Sequence, residues 1–323
     1  MTNINSFNRR DFMRLAGVAG AAAVLAPNFA FEAAKTRRHQ IGATGILWNQ
    51  MEPALKDIAA LGYVGFETFG NTIESMEKRG TPLGPLLIKY QTPLISSFNS
   101  GDVLDPAKRP QSLENLKRWS KLVKGLGGKI IVYCADGGRK NYDYKDHKQN
   151  IVDSMNDYAK AITDEGLVCA LHPHTGTPIE TQEEIDWVMN AVDTKYMRFA
   201  PDIGQIQKGG GDPVKVVKDY LSLIEHMHLK DFAGQDQLQN GYVGYCALGE
   251  GQVNLKEILD MMEKKKKLGG MIMYEQDGPG RLRPGMKTPL EEATISKDYL
   301  VKLGYKFDPK TIAEAATPPA AAQ

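Results

Sequence analysis

Leu223-Ile224-Glu225-His226-Met227-His228-Leu229-Lys230 reads as a short β-strand with two imidazoles on one face. Side chains alternate across a strand, so His226 and His228 share a face, and His228 lies nearer the end. Three other apolar runs finish on a metal-capable residue: Leu167 to His172, Met197 to Asp202 and Met271 to Glu275. In the first of them Val168, Ala170 and His172 share a face, and His174 continues the alternation. Imidazoles and carboxylates delivered from successive strand ends are how a parallel barrel gathers one metal site at one mouth.

Outward from these runs the chain alternates strand-like and helix-like segments. Strands are expected over 41–48, 63–69, 93–98, 129–135, 167–172, 197–202, 223–230 and 271–275. Helices are expected over 52–61, 73–90 (broken at Pro82 and Pro85), 112–126, 150–165, 182–192, 213–220, 255–268 and 289–303. Gly62, Gly127 and Gly166 mark helix ends. Asp212-Pro213, after Gly209-Gly210-Gly211, supplies an N-cap and a first-turn proline. Eight such pairs predict an α/β fold, a single (β/α)8 TIM barrel with right-handed crossovers. An open doubly wound sheet is the alternative, but it brings the four strand ends together less readily. The barrel is expected over 35–308. The tail, 309–323, has no apolar pattern and is expected to be disordered.

The chain has 323 residues, and without its ends it is about the roughly 250 residues of a typical barrel of this kind. The net charge is +1, so no nucleic-acid or other polyanion partner is implied. Lys264-Lys265-Lys266-Lys267 reads as a solvated helix C-terminus. Cys134, Cys169 and Cys246 form no close-spaced pair and read as small buried hydrophobes, not a disulfide framework. Neither a G-x-G-x-x-G dinucleotide loop nor a G-x-S-x-G nucleophile elbow is present. The oligomeric state is left open.

Near the start, Asn8-Arg9-Arg10-Asp11-Phe12-Met13-Arg14 precedes an Ala- and Gly-rich apolar run from Leu15 to Ala26. A basic region ahead of a short apolar one is a secretory pattern. The arginine pair followed by Phe12 resembles a twin-arginine signal, with Asn8 in place of the usual Ser or Thr and Met13 in place of Leu. Residues 1–34 are therefore expected to be a targeting segment. The twin-arginine export machinery would read it and deliver folded protein to the periplasm. An amphipathic N-terminal helix is the alternative. The run is too short to span a bilayer, and no other segment qualifies.

His172, Asp202, His228 and Glu275 make an N/O ligand set. It suits a divalent metal ion such as Mn, Zn, Co or Fe better than Ca, and no thiolate biases the choice.

At these residues the chain resembles the xylose-isomerase-like TIM barrels, the sugar phosphate isomerases/epimerases, and most of all their inosose dehydratase-like members. Leu171-His172-Pro173-His174-Thr175-Gly176-Thr177 looks like their His-x-His-x-Gly-Thr motif. Asp202-Ile203-Gly204-Gln205 looks like their Asp-Thr-Gly-His segment, and His226 to Asp231 and Leu248-Gly249-Glu250-Gly251-Gln252-Val253 match further pieces. The resemblance covers nearly all of 40–305. It implies that Asp202, His228 and Glu275 are metal ligands and that His172 stands where the first family ligand is commonly Glu. It places Glu67 at a position facing the sugar and Glu250 among the substrate-binding candidates. Two departures stand out. Only Glu275 remains of the two metal-bound glutamates an epimerase uses on its substrate's two faces. Gln205 replaces a His that helps build a second metal site in related DNA-repair nucleases, which argues against a nuclease.

The implied chemistry is removal of a proton α to a ketone whose oxygen the metal binds, giving an enediolate. Glu275, His174 and Glu67 are candidate bases. Lys230 is a candidate to neutralise charge or orient Asp231, and His174 and Lys230 are also substrate-binding candidates. Reprotonation makes the enzyme a sugar isomerase or epimerase acting on a keto sugar or keto-polyol, which is the leading expectation; the alternative is loss of a β-oxygen, which makes it a dehydratase or lyase of the inosose dehydratase or 3-keto-glycoside eliminating type. A non-catalytic sugar-binding barrel is the reading of another class. No dense Arg/Lys cluster marks a phosphate site, although Arg281 and Arg283 leave that open.

Overall fold

The computed structural model describes residues 37–140, 142–238, 242–277, 285 and 288–310. In chain order its strands are β1 (Ile41–Thr44), β2 (Phe66–Phe69), β3 (Leu94–Asp102), β4 (Ile130–Asp136), β5 (Val168–Leu171), β6 (Met197–Phe199), β7 (Met227–Leu229), β8 (Asp231–Phe232), β9 (Tyr245–Cys246) and β10 (Ile272–Tyr274). Eight of them form one parallel sheet in the order β6-β5-β4-β3-β2-β1-β10-β7. β8 and β9 pair separately as a short antiparallel ladder. The outer strands β6 and β7 meet only through isolated bridges, Phe199 with Ile224 and Asp202 with His228. There the Glu225 amide donates to the Phe199 carbonyl at 2.9 Å and the His228 amide to the Pro201 carbonyl at 3.0 Å. These few bonds close a (β/α)8 TIM barrel, as the strand–helix rhythm predicts.

The helices are α1 (Met51–Leu61), α2 (Gly70–Lys78), α3 (Leu83–Lys89), α4 (Arg109–Gly125), α5 (Tyr144–Asp164), α6 (Gln182–Ala191), α7 (Ile203–Lys208), α8 (Pro213–Tyr220), α9 (Leu255–Met262) and α10 (Pro289–Lys302). Local chemistry sets their ends. α1 stops at Gly62, whose φ of 86° lets its N–H reach back to the carbonyls of Ile58 and Ala59. α6 and α10 open with capping boxes, Thr181 with Glu184 and Thr288 with Glu291. The helix expected over 73–90 is two helices, and Pro82 is the N-cap residue of the second.

Some boundaries differ from expectation. α5 begins at Tyr144, earlier than 150, because Asp143 caps it while its first turns stay polar and carry no core pattern. α9 ends at Met262, so the lysine run lies beyond it. β6 stops at Phe199, and α7 follows at once because the Asp202 carboxylate accepts from the amides of Gly204 and Gln205. The chain stays packed past 308: Phe307 sets its ring edge-on to Tyr63 at 5.2 Å, and the Lys310 amide donates to the Ala59 carbonyl. The expected targeting segment, Arg9-Arg10 included, lies outside the described residues, as do Arg281, Arg283 and the tail beyond Lys310. Among the described residues no helix is long and apolar enough to cross a membrane.

Alternation along the strands separates two cores. Ile131, Tyr133, Cys169, Leu171, Phe199 and Leu229 belong to the large cluster that includes buried helix residues. Ile130, Val132, Ala170 and Ala200 form a small separate cluster. The period of two carries the second face onward from Ala170 to His172 and from Ala200 to Asp202, so the buried face turns polar toward the strand ends. The three cysteines are free and buried, as their spacing predicts.

Candidate active site

The four expected ligands converge. His172, Asp202, His228 and Glu275 are buried, with at most 6% of any of them exposed. Ligand atoms of His172, Asp202 and His228 lie within 4.8 Å of one another, and His172 Nε2 is 3.8 Å from Asp202 Oδ2. Glu275 joins from β10, with Oε2 2.9 Å from His228 Nδ1. His172 has no hydrogen-bond partner on either ring nitrogen. Leaving such a buried group unpaired costs about 1–3 kcal/mol, and a metal bond would remove that cost. His228 has carboxylates on both sides, Glu67 Oε1 at 2.8 Å from Nε2 and Glu275 at Nδ1, yet neither contact is aligned as a hydrogen bond.

A buried lysine completes the cluster. Lys230 Nζ lies 2.6 Å from Glu275 Oε1, 2.8 Å from Asp202 Oδ2 and 3.4 Å from Asp277 Oδ1, and stacks over the Tyr245 ring at 4.7 Å. Its stem packs against Gly204, where a Cβ would come within 2.8 Å of Lys230 Cγ. Burial disfavours the ammonium, but Asp202, Asp277 and Glu275 together hold it well above its ordinary value. Burial likewise disfavours the Glu275 carboxylate, yet His228 and Lys230 hold its pKa well below the usual range. Burial also opposes the charge on His228, and Glu275 and Glu67 overcome it, raising that imidazole well above 6.5. His172 goes the other way: burial, then His228 and His174, keep it neutral.

Glu67 sits on the far side of His228. Its Oε2 accepts from Ser96 Oγ at 2.5 Å and lies 3.1 Å from His226 Nε2. The Met271 amide donates to His226 Nδ1, which leaves the ring proton on Nε2, facing Glu67. Burial would raise the Glu67 pKa, but His228 and His226 bring it down to about 2. Glu67 is therefore an anion, bonded to Ser96 and facing the charge of His228, that is poorly suited to accept a further proton. Replacing it with Gln is expected to cost about 1–3 kcal/mol, because it removes one of the two carboxylates facing the buried His228 and weakens the acceptor for Ser96. An unchanged urea midpoint would contradict this.

His174 is engaged on both ring nitrogens: Nδ1 contacts the Thr175 carbonyl at 2.8 Å, and Nε2 accepts from the Gln205 amide at 2.8 Å. Thr175 Oγ1 in turn donates to Gln205 Oε1 at 2.6 Å. Its free lone pair, which a base needs, is occupied. Glu250 is exposed and is not among the residues lining the cavity described below. Lys230 does not orient Asp231. Instead, the Asp231 carboxylate accepts from the amides of Phe232, Gly249, Gly251 and Val253, tying the long loop to β8.

A cavity of about 290 Å³ opens beside the cluster, with Glu67, Phe69, Phe98, Asp136, His174 and Glu275 in its wall. Polar groups that carry charge meet apolar rings there, as in a small-ligand site.

Residues 55–297 match the family described as Xylose isomerase-like TIM barrel. The chain belongs to that family. An inosose dehydratase from Geobacillus kaustophilus is 26% identical over 282 residues, spanning 78% of this chain and 87% of that enzyme. Two solved structures share the fold. The 3-keto-D-glucoside 4-epimerase YcjR from E. coli superposes with a TM-score of 0.62 at 17% identity, over 82% of this chain and 98% of that one. The IOLI protein with a binding zinc atom superposes with a TM-score of 0.64 at 15% identity, over the same shares. A curated relative is thus named a dehydratase, and a protein that shares the fold is named an epimerase. In this xylose isomerase-like barrel, Asp277 and Tyr245 join the site without having been singled out. Asp277 was legible, two residues beyond Glu275 on one strand face. Tyr245 arrives on the two-residue strand β9, which is too short for a period to show.

Proposed function

We propose that this protein is a divalent-metal-dependent carbon–oxygen lyase that dehydrates or eliminates from a keto sugar or keto-polyol through an enediolate. The asymmetry of the buried cluster carries this reading. Proton exchange on two faces of one carbon employs two carboxylates, whereas α-proton removal followed by β-elimination needs one. Here Glu275 is a carboxylate and its counterpart, His172, is a neutral imidazole. Dehydratase names among curated relatives support the same choice.

The donor set fits a divalent cation. His172 keeps two unpartnered buried nitrogens, and the carboxylates of Glu67, Asp202, Glu275 and Asp277 outnumber the nearby cations. His172, Asp202, His228 and Glu275 would hold the ion, which supplies a Lewis acid for a ketone oxygen when bound. Glu275 takes the α-proton. Lys230, 2.6 Å away, keeps that carboxylate charged until substrate arrives. Glu67 supplies a counter-charge to His228, and Phe69 and Phe98 shield the reacting carbons from water.

A second reading, isomerisation or epimerisation, has Glu275 return the proton it removed, and the fold shared with a 3-keto-D-glucoside 4-epimerase favours it. Incubating metal-loaded enzyme in D₂O with keto sugars and inososes, followed by NMR, separates the two. Loss of the β-oxygen supports the lyase; deuterium at the α-carbon with every oxygen retained supports the second reading. No exchange, in protein that purifies without a transition metal, favours a non-catalytic sugar-binding barrel.

Metal binding should release a proton, because the two carboxylates flanking His228 hold it protonated and a ligating imidazole must be neutral. Below the raised His228 value, each unit of pH lost is expected to weaken the apparent affinity about tenfold. Calorimetry in buffers of different ionisation enthalpy reads this directly, and a buffer-independent heat would contradict it.

We also propose twin-arginine export, on the pattern around Arg9-Arg10. Changing both arginines to Lys keeps the charge and should retain the protein in the cytoplasm. Periplasmic recovery of that variant on fractionation would overturn the export reading.

A further inference from the structure

At the opposite end of the barrel the strands begin, and there the side chains change character. Gln40 and Met271 stand at the entries to β1 and β10, while Thr44 and Glu275, at the exits of the same strands, line the cavity beside the cluster. Around those entries, between the end of α9 and the segment after α10, lies a separate cavity of about 540 Å³. Its wall gathers Arg37, Arg38, Lys266, Lys267 and Lys306. The whole chain carries a net charge of only +1, so this is a local concentration of positive charge and not the surface of a basic protein.

Part of the wall is firmly held. Arg37 Nε donates to the Leu303 carbonyl at 2.9 Å, its Nη1 pairs with Asp260 Oδ1 at 2.6 Å, and its guanidinium lies 5.6 Å over the Tyr305 ring. The Arg38 amide donates to Glu263 Oε2 at 2.9 Å, and His39 Nε2 contacts the Met262 carbonyl at 3.0 Å. Arg37 is therefore engaged in holding the chain. The other four cations are not. Among the described residues no carboxylate lies within ion-pair distance of the side chains of Arg38, Lys266, Lys267 or Lys306. The dipole of α9 does not account for them either. Lys266 and Lys267 lie more than a turn past its last residue, Met262, and that field falls off within the last turn.

We infer that this cavity binds a phosphate-bearing anion, at a site apart from the barrel mouth. A phosphoryl group carries close to two negative charges and three acceptor oxygens, which match several cations better than one carboxylate does. Arg38 offers a planar fork for two of those oxygens, and the lysines act as point charges around it. The volume lies within the range of small-ligand sites, roughly 300–1,000 Å³. Leu268 and Met271 give the wall an apolar side, suited to the carbon portion of an organic phosphate or of a lipid headgroup. A nucleic acid calls for a stripe of cations along a surface, not a pocket of them.

The test titrates full-length protein, freed of unbound metal, with sodium pyrophosphate by calorimetry at physiological salt. A parallel arm cosediments the protein with phosphatidylcholine vesicles, with and without phosphatidylglycerol. One saturable pyrophosphate site is expected. Lys267→Glu, at an exposed position, should weaken it about tenfold or more, as for one charge-assisted hydrogen bond. Lys148→Glu makes the same change of charge in the mouth-side turns of α5 and should leave the affinity unaltered. Glu275→Gln should also leave it unaltered. Loss of phosphatidylglycerol-dependent sedimentation in Lys267→Glu but not in Lys148→Glu would assign a lipid headgroup. Pyrophosphate binding without that loss would assign a free phosphate. Either result supports the site, and circular dichroism checks that each variant is folded. Neither saturable pyrophosphate binding nor phosphatidylglycerol-dependent sedimentation would overturn it. Equal losses in Lys267→Glu and Lys148→Glu would do the same by revealing a diffuse field. So would a loss confined to Glu275→Gln, which would put the anion at the barrel mouth.

Discussion

Glu275→Gln is expected to lower turnover by about 10²–10⁴-fold, the usual worth of a positioned general base. The substitution keeps the shape of the side chain and removes only its charge and basicity. Lys230 retains Asp202 and Asp277, so the barrel should stay folded. His228→Ala should be at least as damaging to activity and should also reduce metal content, because His228 lies between Asp202, Glu275 and Glu67. Metal analysis beside steady-state kinetics separates the two effects. A His228→Ala protein with full metal and full activity would remove the ligand assignment.

Lys230→Met should have the largest effect on stability. The ammonium is completely buried and faces three carboxylates. Removing one partner of a buried ionic group costs about 3–5 kcal/mol, because the remaining charges lose their compensation. For a chain of this size that corresponds to a drop in Tm of roughly 10 °C. The sign of the pH dependence follows. Without Lys230, the folded-state pKa of Asp202, which burial already raises, climbs further, and Glu275 loses one of the two charges that hold its own down. Asp202 then weakens the fold, and Glu275 supports it less, as pH rises through the unfolded carboxylate range, and the deficit should be larger at pH 8 than at pH 5. Added Mn²⁺ should narrow it. Superimposable melting curves for variant and wild type at pH 8 would contradict this account of the cluster.

The barrel was legible because strand and helix periods differ and because glycines and capping residues punctuate them. Gly62, Asp212 and Pro213 act where their chemistry places them. Convergence of His172, Asp202, His228 and Glu275 was legible too, since a strand's last inward residue must face the mouth. Partnership was not. Lys230 and Asp231 are neighbours in sequence, yet alternation sends Lys230 into the cluster and Asp231 to the loop amides. The short helix α7 was hidden because its cap, Asp202, reads equally well as the end of a strand. His174 is held by Gln205, 31 residues away, a contact no local pattern announces.

The joint between β6 and β7 is held by a few bonds, and Asp202 and His228 lie on its two sides. An ion gripped by both would therefore act as a rivet across the weakest line of the wall. Loading it would tighten the whole cylinder against fraying, with a gain set by how far the ion concentration exceeds its dissociation constant. In the emptied protein the amides of Phe199, Glu225 and His228 would be the first barrel positions to exchange with solvent, and refilling the site would silence them together.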